Sequence, residues 1–144
     1  MIITKAAKQD LYVAANDLCQ GDLNEFHSHT AGRDPRDHIP NYLDETTRAI
    51  KLGSLVLAVG GSKDCLWFVT TNVVNMLTKA QRFQFYRLLK GHLEGLRKEG
   101  HKSMTNMVSV DNHAHIRLLN ALGATFAREH IMSPAGCRFR QFWL

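Results

Sequence analysis

Val108-Ser-Val-Asp-Asn-His-Ala-His-Ile-Arg-Leu-Leu-Asn-Ala-Leu-Gly-Ala-Thr-Phe126 reads as a strand with a polar end, a helix stopped by glycine, and the start of a further strand. Asp111 or Asn112 is placed to cap the helix, because a short oxygen-bearing side chain accepts one of the orphan N–H groups of the first turn. His115, Leu118, Leu119 and Leu122 fall at i, i+3, i+4 and i+7 and form one apolar stripe. Gly123 stands where a helix end needs a residue that tolerates positive φ. Strand and helix alternating over so short a stretch predict an α/β fold.

Met1–Thr4 predicts a short strand, and Gln9–Leu18 a helix with Leu11, Ala14, Ala15 and Leu18 on one face, ended by Gly21. Residues 22–45 are polar, contain histidines and are punctuated by Pro35 and Pro40; they read as an irregular, loop-rich insertion with a short helical turn. Thr46–Leu52 and Leu55–Val59 flank Gly53-Ser54, a two-residue hairpin turn. Cys65–Thr71 is β-branched and aromatic on both faces, as a strand covered on both sides would be. Thr78-Lys-Ala-Gln81 is a capping box opening the longest helix, to about Glu99, with Phe85, Leu89, Leu93 and Leu96 as its buried stripe. Gly91 and Gly95 cost about 1 kcal/mol each relative to alanine, which implies close packing against a neighbour. Ser103–Val110, Thr125–Ile131 and Cys137–Trp143 supply the remaining strands. With no repeat and no linker, residues 1–144 are expected to form a single domain, a mixed and mostly antiparallel sheet flanked by helices.

Hydrophobic residues make up 44% and charged residues 22%, which excludes a disordered or fibrous chain. No apolar run reaches the ~20 residues needed to span a bilayer, and Met1-Ile-Ile-Thr-Lys5 lacks the layout of a signal peptide, so a cytosolic setting is expected. Cys19, Cys65 and Cys137 are far apart and without C-x-x-C spacing, against a disulfide framework or a cysteine zinc site. Residues 1–77 carry seven Lys/Arg against nine Asp/Glu, whereas residues 78–144 carry eleven against four. The basic half suits an acidic protein or a phosphate-rich cofactor; without aromatic interleaving or a recognition-helix motif, nucleic acid is not expected.

The element order, with Asn112 before the helix and Gly123 after it, resembles the GNAT fold of the N-acetyltransferases. In that family a central strand pairs with the pantetheine arm of acetyl-CoA, and the next helix turns its N-terminus to the pyrophosphate, where free N–H groups and the helix dipole favour anions. The resemblance implies acetyl-CoA as cofactor. It places Phe68, Val69 and Thr70 on the central strand, Thr78, Lys79, Gln81 and Arg82 at the helix start, and Asn112 before the last helix. Leu57-Ala-Val-Gly-Gly61, Cys65 with Trp67-Phe-Val-Thr70, and His115-Ile-Arg-Leu118 with Gly123-Ala124 are similar, in turn, to a small protein family of T7-like phages, labelled internal virion protein A or acetyltransferase-like. Two departures bear on catalysis. The helix start has no glycine to let backbone N–H groups close on a pyrophosphate, and Leu119 stands where many GNAT enzymes carry a tyrosine that protonates the leaving thiolate.

The resemblance therefore implies a phage GNAT-like protein of virion morphogenesis, or an internal virion protein, with degenerate catalysis. Its expected partners are phage structural proteins or a host protein, in the host cytoplasm and the virion. An active acetyl-CoA-dependent N-acetyltransferase and a host-targeting binding protein on the same scaffold are the alternatives, and an oligomer is left open. His27, His29 and His38 have no carboxylate or cysteine ligand fixed beside them, so no metal is expected there. His115, on an apolar stripe, is expected to be a hydrogen-bonded core histidine. The basic face of the long helix (Lys79, Arg87, Lys90, Arg97, Lys98) reads as a solvated face or as a dock for an acidic partner.

Overall fold

A computed structural model describes residues 1–102 and 104–144. The chain runs β1 (Ile2–Lys5), α1 (Lys8–Asn16), α2 (Gln20–His29), α3 (Pro35–His38), β2 (Arg48–Leu52), β3 (Leu55–Gly61), β4 (Trp67–Thr70), α4 (Lys79–Lys98), β5 (Thr105–Ser109), α5 (His113–Ala121), β6 (Thr125–Phe126), β7 (Ile131–Met132) and β8 (Arg138–Trp143). Short 3-10 turns lie at Ile39–Tyr42 and Asn72–Met76. The result is a mixed α/β protein, but the single mixed sheet expected is instead two sheets whose strand pairs are all antiparallel, one ordered β1-β2-β3-β4 and the other β5-β8-β6 with β7 also on β8.

The first sheet is covered on both faces. Ile50, Leu57, Ala58 and Leu66 pack with Phe85, Leu89 and Leu93 of α4, with Leu119 and Leu122 of α5, and with Val108 and Phe142 of the second sheet. On the opposite face Ala49, Val56, Val59 and Val69 meet Leu11, Ala14 and Ala15 of α1 and Ile39. Strand alternation would send neighbours Leu57 and Ala58 to opposite faces. A bulge against Ile50/Lys51 puts both into the α4 core. The buried Thr71 hydroxyl donates to the Val56 carbonyl (2.7 Å) beside that bulge, satisfying an acceptor away from water.

The hairpin turn is as expected, with Gly53 at φ 59. The capping box is formed, Gln81 N–H donating to Thr78 Oγ1 at 3.2 Å and Thr78 N–H to Gln81 Oε1 at 2.9 Å. Further expectations change. Residues 22–45 are largely helical, carrying most of α2, all of α3 and a 3-10 turn, and Gly21 lies inside α2 instead of ending α1. The strand expected over Thr125–Ile131 is split into β6 and β7, because five steps from Phe126 to Ile131 face only three from Phe142 to Phe139 on β8. Among the described residues a Cβ built on Gly91 or Gly95 meets nothing within 4 Å, so the close packing expected at these glycines is not found there. The strand expected from Ser103 runs from Thr105, and Ser103 itself lies outside the described residues.

Candidate functional site

The two sheets touch where β4 approaches β5. Leu66 N–H donates to the Thr105 carbonyl (3.1 Å), and the Asn106 side-chain amide donates to the Leu66 carbonyl (2.9 Å). Beyond that contact the β4 and β5 backbones are joined through α2 instead of to each other. Asp22 and Glu25 are three residues apart and share one face of the helix. Asp22 Oδ2 accepts from the Thr70 N–H of β4 (2.8 Å) and from the Thr70 hydroxyl (3.1 Å). Glu25 Oε1 accepts from the Ser109 N–H of β5 (2.7 Å). One helix thus uses two carboxylates to satisfy two strand ends that no neighbouring strand reaches.

Asn112 completes the arrangement from α5. Its Oδ1 accepts from His115 N–H (3.3 Å) and caps the helix, while its amide donates to Asp22 Oδ1 (3.0 Å). Asn112, not Asp111, is the capping residue. Gly21 allows this approach, since a Cβ there would stand 2.5 Å from Asn112 Oδ1.

His115 reaches the same point from one turn into α5. Its side chain is 9% exposed, with the ring 4.7 Å from Phe68 and 6.3 Å from Phe142, centroid to centroid. Nδ1 lies 3.8 Å from Asp22 Oδ1, too far for a hydrogen bond, and neither ring nitrogen has a hydrogen-bond partner among the described residues. Burial lowers its pKa, with Asp22 opposing, so the ring is neutral near pH 7. Burial pushes Glu25 up to about 7, helped by the Asp22 charge and opposed by the Ser109 N–H. The Cys19 thiol, 3.0 Å from Thr70 Oγ1, is also pushed up by burial and by Asp22, and so stays protonated. A cleft of about 640 Å³ opens beside the cluster, with Glu25, His115, Phe68 and Phe142 in its wall and Arg33 and Lys63 further out.

Of the residues singled out in the sequence, the structure gathers Phe68, Thr70 and Asn112 around Asp22 and His115. The β3–β4 register turns the Phe68 N–H and C=O away from β3, as it does those of Thr70. Val69 is buried beneath α1. Thr78, Lys79, Gln81 and Arg82 form the start of α4, where Lys79 is exposed, Thr78 and Gln81 bond each other, and Arg82 donates to the Asn75 carbonyl at 3.1 Å. Leu119 is fully buried in the core. His115 is a core histidine, but its ring makes no hydrogen bond among the described residues. Asp22 and Glu25 were not legible as site residues. Their one signal is an acid pair three apart, inside a segment that reads as loop.

The class these features define is a mixed α/β protein with a buried acid–histidine centre between two splayed sheets. A family model described as bacteriophage T7 probable scaffold protein Gp13 matches residues 46–131, more than half of the chain, and the chain belongs to that family. It is 33% identical over 82 residues to the "Probable scaffold protein gp13" of Escherichia phage T7, a match covering 56% of this chain and 59% of that relative. The match thus spans about three-fifths of the relative's length. This overturns assignment to the GNAT acetyltransferases: the matching family is a phage probable-scaffold family, which also replaces the internal virion protein A label. The acetyl-CoA expectation loses its basis with that resemblance. Asp22 and Glu25 lie outside the matched stretch, and Asn112 and His115 lie within it.

Proposed function

We propose that this chain acts in phage virion morphogenesis, binding phage structural proteins in the infected host cell while particles assemble. The observation that carries this is membership of the T7 Gp13 probable-scaffold family across residues 46–131. Charge supports the kind of partner. The excess of eleven Lys/Arg over four Asp/Glu in residues 78–144 includes exposed Lys79, Arg87, Lys90, Arg97 and Lys98 of α4. Phe83 (60% exposed) stands among them, with the Arg87 guanidinium 5.9 Å from its ring centroid. An exposed aromatic ringed by cations suits an acidic structural protein, which would gain charge steering and an apolar anchor together. Among the described residues no helix is long and apolar enough to cross a membrane.

Sedimentation of infected-cell lysates through the assembly period tests this. The chain is expected to travel with assembling or finished particles, and a Phe83→Ala/Arg87→Glu variant to travel with them less. A wild-type chain found only among free proteins throughout would refute the proposal.

A further inference from the structure

We propose that Asp22, Glu25 and His115 form a binding site for a divalent first-row transition-metal ion of the Zn²⁺ class. Each residue offers one ligand atom, and the three atoms lie within 4.8 Å of one another. Ligands on opposite sides of such an ion stand at most about 4.2 Å apart, so a small carboxylate rotation closes the set.

The observation that points to an ion is His115. A buried neutral imidazole normally has a partner for each nitrogen, because an unpaired polar atom away from water costs free energy. Among the described residues His115 has a hydrogen-bond partner for neither, although its ring sits beside two carboxylates. The charges point the same way. Among the described residues neither Asp22 nor Glu25 has a lysine or arginine ion-pair partner. A dication would offset both carboxylates and give the imidazole lone pair an acceptor of electrons.

The ligand supports are already in place. Thr70 and Asn112 hold the Asp22 carboxylate, and Ser109 N–H holds Glu25 Oε1. Such second-layer hydrogen bonds orient metal ligands. One imidazole with two carboxylates suits Zn²⁺, Mn²⁺, Fe²⁺ or Co²⁺, whereas Ca²⁺ and Mg²⁺ prefer oxygen alone. Three protein ligands leave a coordination position free, and the cleft wall containing Glu25 and His115 leads to it. The ion would also tie α2, outside the family-matched stretch, to α5 inside it.

Titration of the full chain, stripped of metal by chelation, tests this with Zn²⁺ by calorimetry and with Co²⁺ by visible absorption. One ion per chain is expected, with a Co²⁺ ligand-field band. Glu25→Gln and His115→Gln are each expected to weaken binding at least about tenfold. A His27→Gln/His29→Gln variant should bind like the wild type. If His115→Gln loses its circular-dichroism spectrum, Glu25→Gln decides alone, since its amide oxygen still accepts from Ser109. Three results would each overturn the site: no uptake at about 1 mM Zn²⁺, affinity unchanged in the cluster variants, or affinity lost in the His27/His29 variant.

Discussion

Replacing Asn112 by aspartate separates a local role for this residue from a role in the buried cluster. As a helix cap alone, aspartate is as good as asparagine, so a local role predicts no change in stability. In the structure the Asn112 amide also donates to Asp22 Oδ1 at 3.0 Å, and Asn112 is 4% exposed. Asn112→Asp removes that donor and brings a second carboxylate to the same oxygen. A hydrogen bond to a charged group contributes about 1.5–3 kcal/mol, and the new repulsion adds to its loss. The expected destabilisation at pH 7 is therefore at least about 2 kcal/mol, a large share of a small domain's total stability. Urea unfolding of metal-free protein, followed by tryptophan fluorescence, measures it. The loss should shrink on acidification, because one of two adjacent carboxyls takes up a proton first. A variant within about 0.5 kcal/mol of wild type at pH 7 would refute the cluster and leave only the cap.

Three further perturbations probe other parts of the fold. Gly91→Ala should raise stability by about 1 kcal/mol, since a methyl there meets open space and the helix gains propensity; a loss in thermal unfolding would contradict the packing described. Thr71→Val, nearly isosteric, should cost about 1–3 kcal/mol in the same assay by stranding the Val56 carbonyl at the bulge, and a neutral result would show that carbonyl satisfied otherwise. Glu25 titrates from 4.5 unfolded to about 7 folded, so across that window the folded chain holds the extra proton and its stability falls as pH rises. The difference between wild type and Glu25→Gln isolates this from His115, whose lowered pKa acts in the opposite sense; it should change by on the order of 3 kcal/mol between pH 4.5 and 8, and a flat difference would refute the burial of Glu25.

Much of the fold is legible in the sequence where local signals agree. The Phe85–Leu89–Leu93 stripe, the Thr78–Gln81 box and the Gly53-Ser54 turn each combine period and punctuation, and each stands as read. Helix α2 was missed because Gln20–His29 carries only Leu23 and Phe26 as large apolar residues, and Cys19 before it gives no side-chain cap. Gly21 resembles a stop signal, yet its missing Cβ serves the approach of Asn112. Gly91 and Gly95 err the other way, looking like packing glycines where an added Cβ meets nothing within 4 Å among the described residues. The site is half legible for a related reason. A cap is written within three residues, so Asn112 is readable as one, whereas its bond to Asp22 spans ninety residues and leaves no periodic trace. Resemblance to acetyltransferases rested on a few positions of β4 and α5, and the family match across residues 46–131 overturns it.

Deleting the gene from the phage that encodes this chain, and supplying the wild-type chain in trans, tests the virion-assembly role most directly. Few or defective particles are expected without the chain, by electron microscopy and infectious titre, and recovery when it is supplied. Normal numbers of normal, infectious particles in its absence would contradict it.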